Sequence, residues 1–324
     1  MKTFKKPTVF ISSCIEHDYC RYDGQTISDL FVRRLMEFVN VISVCPELSV
    51  GMGVPRESIR LVQRKTEDLK LLSRIHGYDY TEKMNEFSLE YVSGLKQKNV
   101  DGFILKSKSP TCGIKNVKSY YDIGKANVVN AKNNGFFGGE ILKWFPNAPV
   151  ETESRLSNYK IRNRFCTEIF TLAEFSSMRS NQRIKDLVEF HSNNKYLFMT
   201  YNQNTLRELG NIVANHSRLT EEEVFILYET TLRKLLSKEP TQKKRINVLD
   251  HIYGYFKNFV NDEEKAYYFE IQNQYLNKQV SYSTLLSILL GWSIRFKQDY
   301  LTKQTIFMPY PIELIMVIDS GKNL

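Results

Sequence analysis

Residues 8–14 read TVFISSC, a run of β-branched and aromatic residues that ends in a cysteine. Two similar apolar runs, 39–44 and 101–106, lead to Cys45 and, through a short polar stretch, to Cys112. Short runs of this kind, bounded by turn residues, are typical of buried β-strands. In an open α/β sheet, ligands bind beyond the carboxyl ends of the strands. The sequence therefore predicts that thiols from distant parts of the chain meet at one edge of a sheet.

Three converging thiolates indicate a metal site. A single zinc ion takes four ligands, or three ligands and a water molecule, whereas cysteine thiolates also hold iron–sulfur clusters. Three cysteines on a four-iron cluster would leave one iron open, which is typical of a reactive site. The chain has no C-x-x-C pair. Free cysteines that pack as small apolar side chains therefore remain the alternative.

The composition limits the class of protein. The chain has 324 residues, of which 42% are hydrophobic, and this is enough for two domains with cores of their own. It contains no apolar run of about 18 residues and no signal-peptide pattern, so we expect no membrane span and a cytoplasmic location. An odd number of cysteines, five, argues against a disulfide framework.

The net charge is +9, and most of the excess lies in the first half of the chain. Residues 1–170 contain 26 basic and 19 acidic side chains, whereas 171–324 contain 19 and 17. A basic chain with 13% aromatic residues is compatible with a polyanionic partner such as RNA. Many soluble proteins are mildly basic without binding nucleic acid, so charge alone leaves this question open.

The pattern of apolar residues changes at about residue 159. Up to residue 155, strand-like and helix-like segments alternate, which predicts an α/β fold with an open, mostly parallel sheet in three layers and helices on both faces. Beyond that point the strand signals end and helical periodicity continues, which predicts an all-α helical bundle. We therefore expect two domains, 1–158 and 159–324.

Short motifs in both halves resemble known families. The first half resembles the TudS-type thiouracil desulfidase family in five blocks that occur in the expected order. These are Ser13-Cys14, RYDG at 21–24, Cys45-Pro46-Glu47, VPR at 54–56, and SPTCG at 109–113. The second half resembles the YbgA-type domain of unknown function. The blocks here are LVEFH at 187–191, KYL at 195–197, RELG at 207–210, HIYGY at 251–255, and Gln304 with PYP at 309–311.

The first resemblance implies a [4Fe–4S] cluster held by Cys14, Cys45 and Cys112. It also implies that Glu47 is a general acid/base and that Ser109 positions the pyrimidine or a water molecule. Fusions of the two halves resemble desulfidases that act on 4-thiouridine in tRNA, so we expect a thiolated pyrimidine as substrate and tRNA as partner.

Simpler interpretations apply to the same residues. Glu47 could pair with an arginine, Ser109 could form an ordinary serine turn, and Asp23 could pair with Arg56. We expect Cys20 to be a non-ligating thiol.

Several other side chains are candidates for contact with substrate or RNA. Arg21 and Arg56 are expected to orient the substrate or to brace the loop. His191 and Lys195 share one helix face, four residues apart, and could contact phosphate or a base. Lys243, Lys244 and Arg245 form a basic run that could contact phosphates, although such a run is often only a solvated helix start. We expect Cys166 to be a core thiol.

Three functions follow from these patterns. The first is an iron–sulfur-dependent, non-redox desulfidase of 4-thiouridine in tRNA. The second is a desulfidase of free thiouracil or thiouridine in which the helical domain serves oligomerisation. The third is a non-enzymatic RNA-binding or redox-sensing iron–sulfur protein.

Overall fold

The structure is a computed structural model, and it describes residues 3–64, 68–179, 181–215 and 217–316. The strands are β1 (Thr8–Ser12), β2 (Asn40–Val44), β3 (Ile59–Val62), β4 (Lys70–Ser73), β5 (Gly102–Leu105), β6 (Val117–Tyr120), β7 (Val128–Asn133) and β8 (Val150–Thr152). The helices up to the middle of the chain are α1 (Leu30–Met36), α2 (Pro46–Ser49), α3 (Thr81–Leu95), α4 (Phe136–Trp144), α5 (Glu153–Leu156) and α6 (Tyr159–Met178). The later helices are α7 (Ile184–Asn193), α8 (Lys195–Tyr201), α9 (Gln203–Ala214), α10 (Glu221–Leu236), α11 (Gln242–Tyr253), α12 (Asp262–Leu276), α13 (Tyr282–Arg295) and α14 (Asp299–Thr302).

The three apolar runs that lead to Cys14, Cys45 and Cys112 form β1, β2 and β5 of one parallel sheet. Its strand order is β2-β1-β5-β8, and every pairing in it is parallel. This confirms the predicted α/β fold. Because the strands are parallel, their carboxyl ends lie at one edge, and the segments that follow them begin close together.

Helices cover both faces of this sheet. On one face, Phe10 and Phe103 pack with Phe137 of α4 and Val92 of α3 in a buried cluster. On the other face, α6 approaches so closely that a Cβ atom at Gly102 would lie 2.6 Å from Ile169 Cγ2. Bulky apolar residues therefore pack the helices against one face of the sheet, and the absence of a side chain at Gly102 lets α6 pack against the other face.

A second, mixed sheet was not predicted. Its order is β4-β3-β6-β7, in which β3 and β6 are parallel and the two outer pairings are antiparallel. It has a small core of its own, formed by Met52, Leu61, Leu71, Met84 and Val117. Three of its strands have only four residues, which is too short to give a clear periodic signal.

The C-terminal part is helix-rich, as predicted. Aromatic side chains form part of its core: the ring of Phe175, near the end of α6, stacks on Tyr228 of α10 with centroids 5.6 Å apart. The contacts within the chain divide it into two compact units. The first runs to Ala173 and includes the segment that begins at Ile312, and the second is Glu174–Pro311. The domain limits 1–158 and 159–324 stay a prediction. Among the described residues, no helix is both long and apolar enough to cross a membrane.

Candidate functional site

The three predicted ligand cysteines line one cavity at the carboxyl edge of the parallel sheet. Cys14 lies two residues after β1, Cys45 directly follows β2, and Cys112 lies in the loop that leaves β5. The cavity has a volume of about 200 Å³ and lies within the first compact unit. Parallel strands thus bring together thiols from three distant segments.

A fourth thiol, that of Cys20, lines the same cavity. It is hydrogen-bonded to the thiols of Cys14 and Cys45, and Cys45 Sγ lies 3.8 Å from the Cys20 carbonyl oxygen. Only 2% of Cys20 is exposed. Sequence reasoning assigned Cys20 no place in the site. The only feature of the sequence that could have placed Cys20 in the site was its position in the loop that follows the first strand.

The thiols of Cys20 and Cys112 lie in surroundings that favour their neutral form. The hydrogen bond with Cys14 raises the pKa of Cys20 to about 12, and burial raises the pKa of Cys112. The Ser12 hydroxyl is hydrogen-bonded to the Cys112 thiol, and this bond acts to lower the pKa of Cys112 against the effect of burial. Metal binding requires thiolates, so it would release protons here and would depend on pH.

The donor set fits a cluster better than a single ion. Within the described ranges, no three His, Cys, Asp or Glu side chains are grouped closely enough to hold one metal ion. A single zinc ion needs its ligands around one point, whereas each cysteine of an iron–sulfur cluster binds a different iron. Three thiols spread around one cavity therefore fit an iron–sulfur cluster.

Glu47 lies in the first turn of α2 and also lines the cavity. Both Nε and Nη2 of Arg56 donate to its Oε2 atom, with Nε at 3.0 Å, and the Thr111 hydroxyl donates to Oε1 at 3.1 Å. The Arg56 and Glu47 side chains are only 8% and 15% exposed. Glu47 is therefore paired with an arginine, and that arginine is Arg56. Asp23 does not pair with Arg56 but with Arg21, at 3.2 Å.

Ser109 organises the loop that carries Cys112. Its Oγ accepts hydrogen bonds from the backbone N–H groups of Thr111 and Cys112, each at 3.1 Å. The serine turn considered from the sequence is therefore present. These bonds use Ser109 as an acceptor and leave its own hydroxyl hydrogen available to a molecule in the cavity.

Comparison with known proteins finds a family model for the first half of the chain. Residues 9–153 match the family model described as 2-thiouracil desulfurase. The uncharacterized protein YbbK of Bacillus subtilis (strain 168) is 31% identical over 110 residues, which is 32% of this chain and 72% of YbbK. The chain belongs to the 2-thiouracil desulfurase family. The family predicted from the cysteine motifs is confirmed, and with it the class of enzyme, a desulfidase.

The chain has three further similarities to known families and proteins. Residues 195–311 match a model described as a protein of unknown function, DUF1722. The uncharacterized protein YbgA of Escherichia coli (strain K12) is 23% identical over 145 residues, which is 44% of this chain and 86% of YbgA. A solved structure of a [4Fe-4S]-dependent thiouracil desulfidase, TudS, aligns with a TM-score of 0.38 at 21% identity, over 47% of this chain and 93% of TudS.

Glycines of the desulfurase part hold the Cys112 loop close to α4. A Cβ atom at Gly138 would lie 2.5 Å from the Cys112 carbonyl oxygen and 2.6 Å from that of Gly113. Gly139, the next residue of the same helix, would place its Cβ 3.5 Å from Asn134 Cβ, an ordinary contact. The helix and the ligand loop can therefore approach each other only because residue 138 has no side chain.

Gly138→Ala is expected to displace the Cys112 loop and to destabilise the protein. Overpacking of this kind costs about 1–3 kcal/mol. The matched control is Gly139→Ala, which should keep or raise stability, because alanine favours a helix by up to about 1 kcal/mol over glycine. Thermal unfolding and iron content after cluster loading measure the two effects. Equal melting temperatures and iron contents in both variants would contradict the close contact.

The rest of the cavity wall includes several basic side chains. Lys106 Nζ contacts Glu153 Oε1 at 2.5 Å, and the Ser107 hydroxyl donates to the same atom at 2.6 Å. Arg21, one of the predicted substrate-orienting residues, lies in the wall together with Tyr22 and Lys108, which sequence reasoning missed.

The residues predicted to contact RNA belong to the second compact unit and are not among the residues that line this cavity. His191 is half-buried, and its Nδ1 lies 3.1 Å from the Tyr228 hydroxyl. Burial lowers the pKa of His191 to about 4, so its ring is neutral at neutral pH. Lys195 is exposed, with Nζ 5.8 Å from the centre of the Tyr196 ring.

The basic run on α11 is partly engaged in the fold. Lys243 is exposed, Lys244 donates to the Tyr201 carbonyl oxygen, and Arg245 lies over the Tyr282 ring. Contact of these residues with RNA stays a prediction. By geometry, Lys195 and Lys243 are the members of the predicted set that are most open to a partner.

Proposed function

We propose that this protein is an iron–sulfur-dependent desulfidase that converts 4-thiouridine in tRNA to uridine and releases sulfide. The observation that carries the proposal is the cavity. In a member of the 2-thiouracil desulfurase family, the three predicted ligand cysteines and the predicted acid/base line one space of about 200 Å³.

The reaction is a hydrolysis in which water replaces sulfur. The C=S bond becomes C=O, water supplies the oxygen, and hydrogen sulfide leaves, so no electron is transferred. Cys14, Cys45 and Cys112 would hold a [4Fe–4S] cluster, which supplies a thiophilic Lewis acid for the leaving sulfur. The protein has to bind the base, position the water and move its protons.

Glu47 is placed to move the proton of the attacking water. Arg56 donates two N–H groups to Oε2, so this oxygen is held and neutralised. Oε1 accepts a hydrogen bond from the Thr111 hydroxyl, and it is the oxygen that can accept a proton from water. The same carboxyl group can return the proton to the departing sulfur, as general acid/base catalysis requires. The Ser109 hydroxyl can donate to an oxygen or nitrogen of the pyrimidine.

The choice of tRNA over a free base rests on the rest of the chain. A base in RNA must leave its stack to enter such a cavity, and this is least costly at an unpaired nucleotide. The net charge of +9 favours a large polyanionic partner. Phosphate contacts outside the cavity would then contribute to affinity.

The deciding experiment compares substrates on one preparation. The full chain is loaded anaerobically with iron and sulfide and then given 4-thiouridine-containing tRNA, free 4-thiouridine or 2-thiouracil, and the released sulfide is measured. We expect the tRNA to react with the highest kcat/KM. Turnover of the free base alone would favour the second function, in which the helical part serves oligomerisation, and sedimentation of the same sample would then test for a dimer. Cluster absorption without turnover of any substrate would favour a binding or sensing protein.

Lys195→Ala is expected to weaken tRNA binding and to reduce the dependence of log K on log salt by about one unit, as loss of one phosphate contact does. Lys195→Arg keeps the charge and serves as the control. Binding is measured by fluorescence anisotropy at several salt concentrations. An unchanged salt slope in the alanine variant would remove Lys195 from the interface and leave Lys243 as the next residue to test.

A further inference from the structure

Cys20 is a buried thiol in the cavity for which the proposed mechanism has no use. It contacts Cys14 and Cys45, two of the three predicted ligands, through side-chain hydrogen bonds. Cys112 has a different hydrogen-bond partner, Ser12. Cys20 is therefore a neighbour of two ligand thiols and only 2% exposed, whereas Cys14 and Cys45 are partly exposed.

We propose that Cys20 is a resolving thiol, which forms a disulfide with Cys14 when the protein has no cluster and meets a peroxide. The two cysteines lie at the ends of one short loop. The Asp18 N–H group donates to the Ser13 carbonyl oxygen at 2.7 Å, and the Ile27 N–H group donates to that of Cys14, also at 2.7 Å. These bonds fix the Cys14 end of the loop and fold residue 18 back onto it, and both thiols line the same cavity in hydrogen-bond contact.

The chemistry balances with hydrogen peroxide as the oxidant. The Cys14 sulfur, the more exposed of the two, attacks the O–O bond and becomes a sulfenic acid, and one water molecule leaves. The Cys20 sulfur then attacks the sulfenic sulfur, the S–S bond forms, and a second water molecule leaves. Two thiols lose two electrons, which the peroxide accepts.

This reaction would protect the site and also close it to iron. Without a neighbouring thiol, a sulfenic acid can oxidise further to sulfinic acid, which thiols do not reverse. With Cys20, Cys14 is stored as a disulfide that a dithiol can reduce. While the disulfide is intact, Cys14 is removed from the ligand set, so the cluster cannot assemble. Only this last consequence rests on the proposed function, because the disulfide forms without substrate or activity.

The test uses the full chain, stripped of iron with a chelator, reduced, and freed of reductant. One equivalent of hydrogen peroxide is added, free thiols are alkylated, and the peptides are analysed by mass spectrometry. We expect loss of two alkylatable thiols, a peptide pair joined through Cys14 and Cys20, and full reversal by dithiothreitol. The comparison with Cys20→Ser is made at two or more equivalents of peroxide, because a second peroxide is needed to convert sulfenic to sulfinic acid. At that dose, Cys14 of Cys20→Ser should be found as sulfinic acid, which dithiothreitol should not restore, whereas the unaltered chain should still give the reducible disulfide. Cys166→Ala, a core thiol outside the cavity, is the control and should react as the unaltered chain does.

A second measurement links the disulfide to iron binding. Peroxide-treated protein should take up little iron and sulfide until dithiothreitol is added, whereas treated Cys20→Ser should stay unable to do so. A disulfide that joins any other pair, including Cys20 with Cys45, would overturn the assignment, as would five alkylatable thiols after treatment. None of these readouts uses a thiolated substrate, so they stand apart from a failure of the proposed desulfidation.

Discussion

Cys45→Ala is expected to abolish the brown iron–sulfur absorption and the desulfidase activity together. Cys45 begins the turn from β2 into α2, and its thiol is one of the three donors predicted to hold the cluster. Two thiols cannot replace three, because each binds a different iron. We expect iron bound after anaerobic loading to fall to near background, and sulfide release to fall with it.

Cys166→Ala is the matched control for this loss. Cys166 is buried in α6 and does not line the cavity. Its replacement removes one thiol without touching the predicted ligand set, so iron content and absorption should stay close to those of the unaltered chain. A Cys45→Ala protein that retains full iron and absorption would contradict the proposed ligand set. Circular dichroism should first show that both Cys45→Ala and Cys166→Ala are folded.

The part of the site that follows strand ends could be predicted from the sequence. Val9, Phe10 and Ile11 are buried in β1, and the run of which they are part continues directly to Cys14. A parallel sheet places the ends of such runs at one edge, whatever their separation along the chain. This is why Cys45 could be expected beside Cys14 without knowledge of any loop, whereas the position of Cys112 also depends on the loop that leaves β5.

The part of the site that depends on loop geometry could not be predicted. Cys20 reaches the cavity because the chain after β1 turns at Glu16, which has a φ of 60°, and forms a bridge between Ile15 and Ile27. Neither feature has a periodic signature. The Arg56–Glu47 pair likewise depends on the irregular path of the chain from 50 to 56. The sequence therefore could not show which of Arg21 and Arg56 pairs with Glu47 and which pairs with Asp23.

Glu47→Gln is expected to keep the cluster and to lose most of the activity. The amide has nearly the shape of the carboxylate, and its oxygen can still accept a hydrogen bond from Arg56, but it cannot take up the proton of the attacking water. Loss of general acid/base catalysis lowers the rate by about 10²–10⁴-fold. Absorption and iron content should be unchanged, and sulfide release from the thiolated substrate measures the loss.

The choice of glutamine over alanine follows from the burial of the ion pair. Removing one partner of a buried pair costs about 3–5 kcal/mol, because the other charge is left uncompensated. Glu47→Ala would therefore leave the largely buried Arg56 without an acceptor, and any loss of activity could come from a disturbed cavity. Glu57→Gln is the control, since this carboxylate pairs with His76 and does not line the cavity. If Glu47→Gln turned over its substrate at the unaltered rate, the carboxylate would only hold Arg56 in place, and the proton would have to be taken by another group in the wall.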